Sequence, residues 1–339
     1  MKDIVIAVSA NVNCGKSPVM PYIKRQFDGN EFTIKAKFCL ASALLRCGFD
    51  IFDANPMGAN LEQADIAVRI NRSGADGFIS LSYARFGSGK SFNGASGLTV
   101  RYPAIRADKS KVFAEDVCAK LTDGRGTCVT VDGEVFPVHC PTAKIDAGYI
   151  TNFDDAKLIY DPDFIMNTAE HIALGVCEHF DVPYVRRDDV SAYPLLSTAR
   201  RGKKVKLLQC LLNLYGYSLP LDGVYGAATD GAVKQLCRDN GKNESGGTTA
   251  DVWRDLLLLD IPKLRYGANG CAVGYVQRKL YAKLYPLELT GCFDAHTLAA
   301  LNAFLADEVG ELELKETDVI DADIYNLLRP IGGGRHRII

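Results

Sequence analysis

Ala143-Lys144-Ile145-Asp146-Ala147-Gly148-Tyr149-Ile150-Thr151-Asn152 closes a strand on an apolar residue and a carboxylate, turns at a glycine and leaves through a short polar run. Residues 154–158 then lead into a helical stretch over 164–180. A carboxylate at the C-terminal end of a strand is where an α/β protein can hold a general base. The residues before this stretch have the same alternating character. Residues 3–9 (DIVIAVS) form a β-branched apolar run, and 32–47 carry a helical stripe (34, 38, 41, 44, 45) ending at Gly48. Strands follow at 49–52, 78–82 and 98–102, and helices at 61–73, with Arg69 and Arg72 on the polar side, and at 110–121. Residues 127–131 and 134–138 read as a hairpin around Asp132-Gly133. This order predicts a three-layer α/β domain over 1–185.

The 339 residues suffice for two or three cores, with 47% apolar and 24% charged residues typical of a globular protein. A net charge of −2 gives no general attraction to nucleic acid or an anionic membrane. No apolar run approaches the roughly 20 residues of a membrane span. Residues 1–10 enter a strand pattern directly, without the charged and apolar regions of a signal peptide. Eleven cysteines without CxxC pairs sit mostly in apolar patterns (Cys39, Cys47, Cys118, Cys177, Cys210, Cys237), which suggests buried free thiols and a reducing compartment.

Ala10-Asn11-Val12-Asn13-Cys14-Gly15-Lys16-Ser17 satisfies a relaxed phosphate-loop pattern, with Lys16 in the phosphate-contacting position. A phosphate loop opens straight into a helix, however, and here Pro18 and Pro21 follow while the first glycine is missing. Nucleotide binding therefore ranks last among the readings.

The Asp146 segment, the run Leu61…Arg69…Gly74-Ala75-Asp76-Gly77-Phe78-Ile79-Ser80-Leu81 and the strand Gly97-Leu98-Thr99-Val100-Arg101-Tyr102 stand in one order. In that order the first 180 residues resemble the zinc-dependent N-acetylmuramoyl-L-alanine amidases, the family that cuts glycan from peptide in bacterial cell walls. The resemblance implies an amidase-like fold and a site with His after the first strand, Glu at the start of the first helix, and His closing the Ile-Ser strand. The family's last motif carries Glu where this chain has Asp146. Here the first His position falls on Ala10 or Asn11 and the second on Ser82, leaving Glu31 near the first helix start as a surviving ligand. Hydroxyl and amide oxygens are weak neutral ligands for zinc. The expectation is therefore no cofactor, or zinc if the domain is active. Asp146 is then a relic that caps a turn or pairs with Lys144. Of the five histidines, His139 alone is placed to join Asp146.

Residues 186–199 (Arg186, Arg187, Asp188, Asp189, Pro194) read as a polar linker. Beyond it the chain repeats itself. Gly202-x-x-Val205-x-x-Leu208-Gln209 returns as Gly270-x-x-Val273-x-x-Val276-Gln277, and Asp222-Gly223-Val224-Tyr225-Gly226-x-x-Thr229 as Thr290-Gly291-Cys292-Phe293-Asp294-x-x-Thr297, offset by 68 positions throughout (205 to 273, 223 to 291, 229 to 297). Each unit reads as a small all-α three-helix module, 200–260 and 261–330, before a tail at 331–339. Both resemble the peptidoglycan-binding domain. Thr229 and Thr297 are expected to N-cap the following helices. Tyr215, Tyr217, Asp222 and Tyr225 are the candidate wall-contacting residues, with core packing equally suited to Tyr225.

Three readings follow. The first is a peptidoglycan-binding or structural protein whose amidase-like domain has lost zinc and activity. The second is an active amidase of phage-lysin type with a rearranged metal site, and the third a nucleotide binder. Peptidoglycan or another protein is the expected partner, and a homo-oligomer or a component of a phage-like particle is compatible with the sequence. Synthesis without a signal peptide suits release to the wall by a separate pore, or a place in such a particle.

Overall fold

A computed structural model describes residues 3–57, 59, 61–104, 107–122, 124–133, 136–259, 262–309 and 317–329. In chain order the first half gives β1 (Val5–Ala10), β2 (Lys16–Val19), β3 (Gln26–Asp28), α1 (Gly29–Arg46), β4 (Asp50–Asp53), α2 (Gln63–Ser73), β5 (Gly77–Ala84), β6 (Leu98–Pro103), α3 (Ala107–Lys120), β7 (Thr127–Asp132), β8 (Thr142–Tyr149), α4 (Phe153–Leu158) and α5 (Pro162–His179). Six strands form one sheet in the order β4-β1-β5-β8-β6-β7. Every pairing in it is parallel except β6 with β8.

Side-chain alternation sorts the sheet into two faces. Ile6, Val8, Ile79, Leu81 and Ile145 point into the core shared with α1, α3 and α5. Ala7 and Phe78 point the other way, into a smaller cluster with Ala67 and Ile70 of α2 and with Phe136, Val138 and Cys140. This is the expected three-layer α/β domain. Gly175 lets α5 cross α3 closely, since a Cβ there would lie 2.6 Å from the Val117 Cα. The buried Arg46–Glu170 pair, joined by the Tyr184 hydroxyl, ties α1 to α5 and to the chain leaving it.

Two local expectations fail. The hairpin around Asp132-Gly133 does not form: β7 lies at the sheet edge parallel to β6, residues 136–138 are not strand, and 134–135 lie outside the described residues. Nor does the glycine loop open into a helix. The chain after Gly15 enters β2, which pairs with β3, so the phosphate-loop reading lacks the helix N-terminus it requires.

The second half gives α6 (Lys203–Leu214), α7 (Ala227–Asp239), α8 (Ala250–Leu257), β9 (Leu264–Arg265), α9 (Cys271–Ala282), α10 (Ala295–Val309), β10 (Val319–Ile320) and α11 (Ala322–Leu328). The repeat holds down to single hydrogen bonds. Gln209 Oε1 accepts from Gly223 N at 2.9 Å, and Gln277 Oε1 accepts from Gly291 N at 2.8 Å. The Gln209 amide donates to Asp222 at 2.8 Å and that of Gln277 to Thr290 at 3.1 Å, so the threonine replaces the aspartate as acceptor. Gly223 and Gly291 sit at φ 67° and 71°, where glycine carries no Cβ penalty. The threonines do not cap the helices. Gly226 and Asp294 occupy the positions before α7 and α10, the Asp294 carboxylate accepts from Thr297 N, and the Thr229 and Thr297 hydroxyls donate back to the Val224 and Cys292 carbonyls.

The segment expected to be a linker is packed. Tyr193 and Leu196 are buried, Trp253 Nε1 donates to Pro194 O, and Thr248 exchanges two hydrogen bonds with Leu196. Helix α6 lies against α1, so α1 is buried on nearly every side rather than along one stripe. Lys206 bonds Asp50, and Lys35 donates to Leu214 O. Helix α9 seats on α1 and α5 through Arg278–Glu31 and through Lys279, which is buried between Asp161 and Asp163. The tail at 331–339, with His336, lies outside the described residues. No described helix is long and apolar enough to cross a membrane.

Candidate functional site

On the face of the sheet that carries Ala7 and Phe78, the side chains turn polar toward the C-terminal ends of the parallel strands. Register places Ser9 beside Ser80, Ser80 beside Lys144, and Ser82 beside Asp146, while antiparallel β6 brings Thr99 opposite Asp146 and Arg101 opposite Lys144. Ser82 and Asp146, 64 positions apart in sequence, thus become neighbours.

 The chain separates them by the whole of β6, α3 and β7, and the sheet alone brings them together.

The side chains form a connected polar row. Asn11 Nδ2 donates to Ser82 Oγ at 3.2 Å, and the Ser82 hydroxyl bonds Asp146. Arg101 grips both oxygens of Asp146, Nε at 2.8 Å and Nη2 at 3.2 Å, and its Nη1 reaches Asp132 at 3.4 Å. Lys144 completes the row on Asp132 at 2.7 Å, so it pairs with that carboxylate and not with Asp146. Asp146 is 5% exposed. Burial raises its pKa above the ordinary carboxylate value, against the opposing pull of the Arg101 charge and the Ser82 bond.

The other expected site residues lie elsewhere. Ala10 offers only its backbone, and both its N–H and its carbonyl are taken by the side-chain amide of Asn55. Glu31 faces the second repeat, 2.8 Å from Arg278; burial pushes its pKa up, but the Arg278 and Lys35 charges outweigh that and hold it below the usual range. Its neighbour Asn30 points inward instead, accepting from Cys14 N. His139 is exposed at the N-terminal approach to β8, with its backbone bonded to Asn71, whereas Asp146 lies near the strand's other end. About 3.3 Å of rise per residue separates the two. Arg101, Asp132 and Cys14 escaped the sequence reading. Arg101 stands within a quoted motif, but its partner depends on the antiparallel register of β6, which no local pattern encodes.

These side chains do not fit a zinc ion. Zinc takes imidazole, thiolate or free carboxylate ligands. Here the two positions next to Asp146 supply an amide and a hydroxyl already bonded to each other, and the carboxylate itself is neutralised by a guanidinium. The Cys14 thiol, 3.8 Å from Ser82 Oγ, is pushed up to about 11 by burial and so holds its proton at neutral pH. Among the described residues no group of three or more His, Cys, Asp and Glu side chains is arranged to hold a metal ion.

In the repeats, Asp222 is spent on the Gln209 clamp and Tyr225 is 1% exposed, a core residue. Tyr215 and Tyr217 line a cavity where the first domain meets both repeats.

Residues 23–178 match the family model described as N-acetylmuramoyl-L-alanine amidase, and residues 201–256 that of a putative peptidoglycan binding domain. Among solved structures, an N-acetylmuramoyl-L-alanine amidase from Clostridium difficile 630 is similar at 19% identity, covering 53% of this chain and 98% of its own, with a TM-score of 0.46. The amidase AmiC2 of Nostoc punctiforme is similar at 16% identity, covering 52% and 97%, with a TM-score of 0.44. No curated protein matches the sequence.

Proposed function

We propose, from the premise that residues 23–178 form an N-acetylmuramoyl-L-alanine amidase family domain and residues 201–256 a peptidoglycan-binding domain, that this chain binds peptidoglycan without cleaving it. The observation that supports this reading is the Arg101–Asp146 pair. In a zinc amidase site a carboxylate at that strand end must accept a proton from water held by the metal. In this chain a guanidinium, which stays protonated, occupies both oxygens of the carboxylate. Asn11 and Ser82, bonded to one another, replace the two imidazoles that the family resemblance implies. The first domain then serves as a scaffold that carries the binding modules, and peptidoglycan is the partner.

The test is elemental analysis of protein purified without chelator, a calorimetric zinc titration, and incubation with purified insoluble peptidoglycan. The expected result is far less than one zinc per chain, no titration heat, sedimentation with the wall, and no release of peptide from glycan. About one tightly held zinc per chain together with peptide release would establish the other reading, an active amidase with a rearranged metal site. Failure to sediment would remove the wall as partner.

A further inference from the structure

The seam between the first domain and the two repeats encloses a cavity of about 560 Å³, within the range of small-molecule sites. We infer that this cavity binds an anionic sugar: one or two pyranose rings bearing a carboxylate.

The charge of the walls points to an anion. Five cationic side chains (Lys35, Arg187, Arg238, Arg278 and Arg329) line the cavity against two carboxylates, Asp163 and Asp239, in a chain whose net charge is −2. Both carboxylates are already satisfied. Asp163 accepts from the Tyr275 hydroxyl and from Lys279, and Asp239 from Tyr217 and Gln235. Arg278 and Lys35 are not. Arg278 spends Nη1 on Glu31, while its buried Nε and Nη2 find no hydrogen-bond partner among the described residues. Lys35 Nζ has the Leu214 carbonyl at 2.9 Å and Glu31 only at 3.9 Å. Burial, helped by the Arg278 charge, depresses its pKa to about 8, as expected for an ammonium short of a counter-ion.

The remaining walls suit a sugar. Tyr215, Tyr217, Tyr275 and Tyr325 all line the cavity. Their hydroxyls are committed to Leu256 O, Asp239, Asp163 and Pro262 O, which fixes the rings. Tyr325 is buried behind the wall, and the half-buried Tyr215, Tyr217 and Tyr275 are left to pack on the C–H face of a pyranose. The choice of an anion rests on the cavity alone. The choice of a sugar acid also rests on the cell-wall reading above.

Calorimetric titration of the full chain with N-acetylmuramic acid, N-acetylglucosamine and inorganic phosphate tests the assignment. The expected result is binding of the acid sugar, with the neutral sugar about tenfold weaker or worse for want of the charged contact, and phosphate weaker than the acid sugar. Lys35→Met removes a cation that burial already disfavours, so at pH 7 it should melt no lower than the wild type and lose about tenfold in affinity. Arg278→Gln should lose as much, with its fold checked by circular dichroism. Equal binding of the two sugars, tighter binding of phosphate, or an unchanged affinity in a folded Lys35→Met would overturn the proposal. Sedimentation with insoluble wall is read separately, so failure here and failure of the wall-binding reading are distinguishable.

Discussion

The end of the sheet and the seam beneath it manage buried charge in opposite ways. At the sheet end, Asn11, Ser82, Asp146, Arg101, Asp132 and Lys144 answer one another in a single row, each charge facing an opposite one. At the seam, Lys279 is answered twice over by Asp161 and Asp163, but Lys35 and Arg278 bring more donors than Glu31 and Leu214 O can accept. The sheet end pairs its charges within the row, and the seam where the repeats pack leaves cationic donors without acceptors among the described residues.

Substitutions can break this contrast. The largest effect is expected at Lys279, 1% exposed between two carboxylates. Lys279→Met leaves the buried Asp163 and the half-buried Asp161 without a counter-charge and should cost about 3–5 kcal/mol, read as a lowered midpoint in denaturant. Arg101→Met is next, at about 2–3 kcal/mol at pH 7, because it leaves Asp146 buried and charged while Lys144 still serves Asp132. The sign follows from Asp146 itself. Its pKa in the fold already lies above that of the unfolded chain, and loss of Arg101 raises it further. The fold then binds the proton more tightly than the unfolded chain does, so the penalty should shrink as pH falls through the raised value. A penalty that stays constant from pH 7 to pH 5 would show that Arg101 acts by packing alone.

Ser82→Ala removes one link of the same row and should cost about 1 kcal/mol. The smallest effect sharpens the seam. The Lys35 ammonium faces Glu31 and Cys39 on its own helix, Arg278 on α9 and the Leu214 carbonyl on α6. Its pKa in the fold, about 8, lies below the ordinary 10.5. The unfolded chain therefore binds more protons between those values, and the wild type should gain stability over Lys35→Met as pH rises through that window, by no more than about 1.4 kcal/mol per pH unit. The thermal-midpoint difference between the two proteins, measured from pH 7 to 10.5, checks it.

Much of the fold was legible because its signals are local. Residues 3–9, 78–82 and 143–149 are apolar runs bounded by turns, and β1, β5 and β8 follow from them. The 68-residue offset marks both repeats in the sequence, and their glutamine clamps explain why Gln209 and Gln277 recur. What stayed hidden depends on distant partners. Asp132-Gly133 has turn chemistry, yet β7 pairs with β6 across a helix instead of turning back. The full burial of α1 requires α6, which lies far along the chain. At the site, the strand register puts Ser82 beside Asp146, a pairing hidden by a separation of 64 positions. The direction of Glu31 is set by Arg278 on α9, and the clasp on Asp146 by the register of β6.

The packed segment at 186–199 has a mechanical consequence. A module on a loose tether searches a volume set by its tether length, and a pull on it first takes up slack. Here Tyr193, Leu196 and Trp253 leave no slack, and Lys279 fastens the second repeat to the ends of the helices beneath it. A load applied to the repeats would reach α1 and α5 directly, and the packed seam would answer it as a single stiff lever.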